Sequence, residues 1–315
     1  MAEFSKIEEL EQLVKQDAAN FQARRELSVA LLDKGFNEAA LRHVNYLLNI
    51  FPDDARLHFN QAIIFEKLKK DFLAEKSYKK AIELDNTQTD FLYNLGYLFL
   101  QHQKYDEALE LFWKVIEKDS QDGNVFFNIG FLLSKKGEHK QAIQYLQKAY
   151  EINNADTLAL FYTAYAYSCL KDYESAKEYY NRVLEQCPDY SWAYFNLASI
   201  AYNEKNKEEA FNYILETLKY NPKDIDAYKF GAKILIEIRT FDDARIFIEK
   251  GLENCENDGN LYYFLGQISK LQKDYSGYVE NLKKALKNHM TLKTDPKKIK
   301  NELKFFIEKQ KNNMK

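Results

Sequence analysis

Apolar residues along this chain recur at spacings of three and four, the mark of amphipathic helices, and the whole pattern repeats every 34 residues. Blocks begin at Phe21, Ala55, Thr89, Gly123, Thr157, Ser191, Ile225 and Gly259 and run to Leu292 without insertion or deletion. Position 20 of successive blocks reads Ala40, Ala74, Ala108, Ala142, Ala176, Ala210, Ala244 and Tyr278. Position 8 reads Ser28, Ala62, Gly96, Gly130, Ala164, Ala198, Ala232 and Gly266. Small residues there let two helices cross closely, where a bulky side chain would overpack at about 1–3 kcal/mol. Position 11 is mostly large and apolar (Leu31, Phe65, Phe99, Leu133, Tyr167), and so is position 24 (Val44, Tyr78, Phe112, Leu146, Tyr180, Ile214, Ile248, Leu282).

Breaks fall where a two-helix unit needs them. Gly35 and Gly137 at position 15 separate the halves, and Pro52, Pro188 and Pro222 at position 32 cannot continue the preceding helix. Each block is predicted to be helix, short turn, helix, short turn. Residues 1–20 read as a capping half-repeat, with Leu10, Leu13 and Val14 as its apolar stripe and Asp17 at its close. Residues 293–315 read as a Lys-rich capping helix that starts at Asp295-Pro296, with Ile299, Leu303, Phe306 and Ile307 as its stripe. The eighth block has Tyr278 where a small residue belongs and Ser269 where a large one belongs, so it is expected to be less regular. With both caps, the chain is expected to be a complete solenoid.

Segments such as Tyr93-Asn94-Leu95-Gly96, Lys104-Tyr105-Asp106-Glu107-Ala108 and Cys187-Pro188-Asp189-Tyr190, in eight in-register copies, resemble the tetratricopeptide repeat family. The resemblance covers residues 21–292, about 86% of the chain. It implies an all-α, right-handed superhelical solenoid of eight 34-residue helix-turn-helix repeats with capping helices at both ends. In that family the first helix of each pair lines a concave groove that takes peptide segments or partner helices, mainly through positions 2, 5, 6, 9, 12 and 13.

Carried onto those positions, the resemblance singles out two sets of residues. Position 6 holds Asn60, Asn94, Asn128 and Asn196. An amide offers both a donor and an acceptor, so it can pair with an extended backbone of any sequence; equally, such Asn residues can contact water or the neighbouring helix. Position 5 holds Phe59, Tyr93, Phe127, Phe161 and Phe195, position 9 adds Tyr97, Phe131 and Tyr165, and Trp192 stands at position 2. With the core stripes assigned elsewhere, this second aromatic stripe is expected to be exposed enough for partner contact, with packing between repeats as the other reading. A partner segment carrying apolar or aromatic side chains follows. The family's clamp for acidic chaperone tails is missing: the first three blocks offer Arg25, Val29, Asn60, Asp90 and Asn94, and Asp90 would repel a carboxylate. Binding to the acidic C-terminal tail of heat-shock chaperones is therefore not expected.

Charge and chemistry narrow the picture further. The net charge is −3 with both signs interspersed, which argues against a nucleic-acid binder. Residues 293–315 hold eight Lys against Asp295, Glu302 and Glu308, which reads as a solvated cap or as a contact for an acidic partner or membrane surface. Cys169, Cys187 and Cys255 show no CxxC spacing and are read as reduced thiols. No signal-like or membrane-spanning apolar run occurs, and a cytoplasmic location is expected. His43, His58, His102, His139 and His289 form no metal-binding spacing, and no phosphate-loop, dinucleotide or nucleophile-elbow motif is present. No metal, cofactor or catalytic residue is assigned. The expected function is a non-enzymatic scaffold that binds a protein segment in its groove. A self-assembling structural solenoid, or a regulatory or targeting subunit of a partner complex, is the alternative.

Overall fold

The computed structural model describes residues 2–118, 121–255 and 257–313, with side chains described for 6–118, 121–255 and 257–308. Among the described residues it contains α-helices, one short 3-10 helix and no strand. Helix α1 spans Ala2–Gln16, and seven hairpins follow: α2 (Phe21–Asp33) with α3 (Asn37–Ile50), α4 (Ala55–Lys67) with α5 (Asp71–Leu84), α6 (Thr89–Gln101) with α7 (Tyr105–Lys118), α8 (Gly123–Lys135) with α9 (His139–Ile152), α10 (Thr157–Cys169) with α11 (Tyr173–Gln186), α12 (Ser191–Asn203) with α13 (Lys207–Tyr220), and α14 (Ile225–Glu237) with α15 (Phe241–Asn254). An eighth pair, α16 (Gly259–Leu271) and α17 (Tyr275–Lys287), leads through a 3-10 turn at His289–Thr291 to α18 (Pro296–Asn313). Every first helix begins on the first residue of its sequence block. The chain divides into two compact units, residues 1–159 and 160–315, within α10.

Local chemistry sets these boundaries. Asp54, Asp122, Asp224 and Asp258, each the last residue of its block, cap α4, α8, α14 and α16 by accepting a backbone N–H from the first turn. Between the helices, position 15 is left-handed in all eight repeats. Gly35 and Gly137 are joined there by Lys69, Gln103, Lys171, Lys205, Arg239 and Lys273, with φ between 57° and 82° across the set. The turn geometry is constant and glycine is optional, because the backbone N–H of position 16 donates to the position 11 carbonyl in every repeat and closes the turn around a residue in a region that normally costs a non-glycine residue about 1–2 kcal/mol. Lys205→Gly is therefore expected to raise stability by about 0.5–1 kcal/mol, seen as a higher urea midpoint. A lower midpoint would mean that the entropy added to the unfolded chain outweighs the strain relieved.

Within the hairpins the small columns are fully enclosed. All seven alanines of position 20 are 0% exposed, and position 24 is buried in every repeat. In the first unit, α1 docks through Ile7, Leu10 and Val14 onto Ala23, Leu27, Ala40 and Val44. The predicted stripe needs one correction. Leu13 is 39% exposed and Ile7 takes its place, because residues 7, 10 and 14 share one helical face and residue 13 lies about 100° away from residue 14.

The eighth repeat is as regular as the others in its helix starts, against the expectation from its composition. Tyr278 is fully buried, and its ring lies edge-on to Phe306 of α18 at 4.9 Å. Its hydroxyl donates to Glu302 Oε1 (2.6 Å), which also accepts from Lys270 Nζ (2.9 Å). The large residue thus faces the cap, where Ile299 and Leu303 complete the cluster. Burial opposes ionisation of Glu302, yet the two donors outweigh it and hold the carboxyl below the ordinary glutamate range. A depressed folded pKa stabilises above the unfolded value of about 4.3, and that stabilisation fades as pH falls through the lower folded value. Acidification below about pH 4 is expected to loosen α18 before the hairpins, read as early loss of hydrogen-exchange protection in 296–308 after correction for the intrinsic rate.

Candidate functional site

The first-helix side chains flagged by the sequence are presented very unevenly. In the first unit Phe59 is 8% exposed and wedged between Tyr78 (5.7 Å) and Phe91 (4.7 Å). It is core, since the next repeat's Phe91 covers it. Asn128 is also buried, and its amide donates to the Tyr93 hydroxyl (3.3 Å), which ties two successive repeats together. These two residues are corrections: neither side chain is available to a partner backbone. Asn94 returns its amide N–H to the Asp90 carbonyl of its own helix (2.8 Å). Asn60 is half-buried and lines a shallow recess of about 350 Å3 with Arg25, Glu26 and Val29. Tyr97 is exposed and stacks on half-buried Tyr93 (6.4 Å, 9°). Phe127 and Phe131 stack in the same way (6.2 Å, 19°), both half-buried. The pattern repeats because positions 5 and 9 are one helical turn apart.

In the second unit Phe161 is half-buried within a cluster of Tyr162, Tyr180 and Tyr190. Tyr165 is exposed. Asn196, like Asn94, donates to the carbonyl four residues earlier, that of Trp192 (2.7 Å). Of the four expected amides, Asn94 and Asn196 are therefore engaged within their own helices, since an Asn inside a helix has a carbonyl within reach one turn back, and Asn128 is engaged by Tyr93.

Several rings and a recess coincide on the first-helix face of α12, α14 and α16. Trp192 is 57% exposed and meets Phe195 edge-on (6.4 Å). Phe195 contacts Phe230 (5.9 Å), and Phe230 contacts Tyr202 (5.3 Å). Trp192, Phe195, Phe230, Tyr263 and Phe264 line a recess of about 500 Å3, together with Lys229, Lys233, Asp226 and Asn260. One wall is the chain's own segment after α17. Asn260 donates its amide to the Thr291 carbonyl and accepts from the Lys293 backbone N–H (2.8 Å), so one side chain reads both polar groups of a passing backbone. Gly259 permits that approach, since a Cβ there would sit 2.5 Å from the Asn288 carbonyl oxygen.

Of the residues predicted for binding, Trp192 and Phe195 line this recess; Phe230, Tyr263, Phe264, Lys229 and Lys233 were missed. The signal was present in position 6, which changes from Asn to Phe in the last two blocks. A larger recess of about 650 Å3 lies in the first unit on α4 and α5, beside the 80% exposed Phe72. Four of its ions pair among themselves (Lys79 with Glu75, Lys80 with Glu83), and it gathers fewer rings. Size alone is a poor guide: binding energy concentrates on desolvated aromatic anchors, which favours the smaller recess.

Comparison with known proteins agrees with this architecture. Family profiles described as tetratricopeptide repeat match residues 55–88, 77–110, 123–156, 158–200 and 193–224. The structure of YrrB, described as a TPR protein with an unusual peptide-binding site, is 26% identical, with a TM-score of 0.53 over 58% of this chain and 95% of that one. A tetratricopeptide repeat protein from Parabacteroides merdae shares the fold at 21% identity, with a TM-score of 0.59 over 80% of this chain and 98% of that one. The type IV pilus assembly protein PilF of Pseudomonas aeruginosa is 28% identical over 85 residues, 27% of this chain; the match spans only 34% of that relative's length. Its solved structure covers 68% of this chain and 97% of its own, at 22% identity and a TM-score of 0.56.

Proposed function

This chain is a tetratricopeptide repeat protein, and we propose that it is a non-enzymatic scaffold that holds a peptide or helical segment of a partner protein on its first-helix faces. The observation that carries the reading is the recess of the second unit. Trp192 stands 57% exposed over a cavity lined by four further rings, an amount of unsatisfied aromatic surface that a partner side chain would desolvate. In the first unit, Tyr97, Phe131 and half-buried Asn60 supply a second, shallower contact area. The likeness to YrrB, itself described by a peptide-binding site, supports the same reading. Among the described residues no helix is long and apolar enough to cross a membrane.

The test is capture of partners from the source lysate by the native chain and by a Trp192→Ala variant, with circular dichroism to show equal folding. Loss of a specific partner from the variant is the expected result. Capture of the same partners in the same amounts by both chains would remove the recess from the binding surface.

A further inference from the structure

We infer that the recess of the second unit selects a partner segment in which a large apolar or aromatic side chain stands next to an acidic residue, the ring filling the cavity and the carboxylate pairing with Lys233. This deepens the proposed binding role and rests on it.

The choice follows from which charges are already committed. Three lysines and two aspartates border the cavity. Lys229 is only 15% exposed and lies between Asp226 (3.6 Å) and Asp258 (3.4 Å). Lys293 reaches the same Asp226 oxygen at 3.6 Å. Asp224 caps α14 by accepting the Ala227 N–H (3.0 Å). Both aspartates and Lys229 are therefore occupied, while Lys293 stays 77% exposed. Lys233 is exposed, makes no ion pair among the described residues, and sits 4.6 Å over the Tyr202 ring. Glu237, one turn further along α14, already accepts from the Tyr202 hydroxyl (2.7 Å) and from Lys207 (2.9 Å). The rim of the aromatic cavity is thus cationic, led by the Lys233 ammonium, whose neighbouring carboxylate, Glu237, is already engaged by Tyr202 and Lys207, with the exposed Lys293 beside it. A partner carboxylate would complete it, whereas a partner cation would meet repulsion with no acceptor left to offset it.

The entrance is also defined. Lys293 and Thr294 wall the cavity beside α16, on a segment held at Thr291 and Lys293 by both polar atoms of the Asn260 amide. A partner segment enters past Trp192, beside α12, so its ring reaches Phe195 and Phe230 while its flanking residue passes α14 and Lys233.

The full chain is used to select from a phage-displayed library of random short peptides, and the consensus peptide is then measured by fluorescence anisotropy. Trp192→Ala and Lys233→Glu are the variants, both at exposed positions that leave the core untouched. The expected consensus pairs an aromatic or large aliphatic residue with Asp or Glu, and each variant weakens it by about tenfold. Exchanging the acidic residue for Lys should weaken binding to the native chain and restore it on Lys233→Glu. A consensus weakened by Trp192→Ala but indifferent to Lys233→Glu and to its own acidic residue would overturn the charge rule and leave the binding role intact. A consensus indifferent to both variants, or a library with nothing enriched, would overturn both.

Discussion

Replacing Tyr278 with alanine is expected to lower the stability of the second unit by about 3–5 kcal/mol, the range for emptying a buried aromatic site. Seven repeats carry alanine at this position, so the hairpin itself accepts it; what the substitution removes is the seat of α18. The lost contacts are specific: the edge-on packing with Phe306, the hydroxyl bond to Glu302, and the ring beneath Lys270 at 5.1 Å. Hydrogen exchange should show 296–308 unprotected while α12 to α15 keep most of their protection, and the urea midpoint should fall. Tyr278→Phe separates the terms. It keeps the ring, leaves Glu302 bonded to Lys270, and should cost about 1 kcal/mol. If alanine left the exchange of α18 unchanged, the cap would have to be held by Ile299 and Leu303 without the tyrosine.

The glycines of position 8 are expected to respond differently to the same substitution. At Gly130 an added Cβ would lie 2.6 Å from Leu146 Cγ and 3.0 Å from the Leu146 backbone nitrogen, so α8 and α9 would have to move apart. Overpacking against backbone costs up to about 3 kcal/mol, and the helix propensity gained over glycine returns about 1, leaving a net loss of about 2. At Gly266 the nearest atom is Leu282 Cδ2 at 3.2 Å, the end of a flexible side chain. Gly266→Ala should be neutral or stabilising by a few tenths to about 1 kcal/mol. Gly96, facing the Phe112 ring at 3.0 Å, should fall between them. Urea midpoints of the three variants test the order. Equal losses at Gly130 and Gly266 would mean that hairpin spacing is uniform and set by something other than this column.

The recess of the second unit is only partly legible in the same kind of column reading: the change to Phe230 and Phe264 at position 6 marks it, but the column at position 5 does not separate open from covered rings. Position 5 contains Phe59, which is covered by Phe91 of the following repeat, and Phe195, which opens into the cavity, yet both are phenylalanines at one register. Position 6 contains Asn128, buried against Tyr93, and Asn60, half-buried beside Arg25. Exposure at these positions depends on the size of the residue contributed by the neighbouring repeat, a relation that reaches across one repeat and differs from repeat to repeat.

The periodic part of this protein was determined by sequence alone. Helix starts, hairpin spacing and the family follow from small and large residues recurring in fixed columns, because close crossing of two helices tolerates only those sizes. Tertiary structure decided the rest. It turned Tyr278 toward a cap and folded residues 293–294 back to wall a cavity. Each of these depends on what a neighbouring element brings into contact, and no single column of the repeat records that.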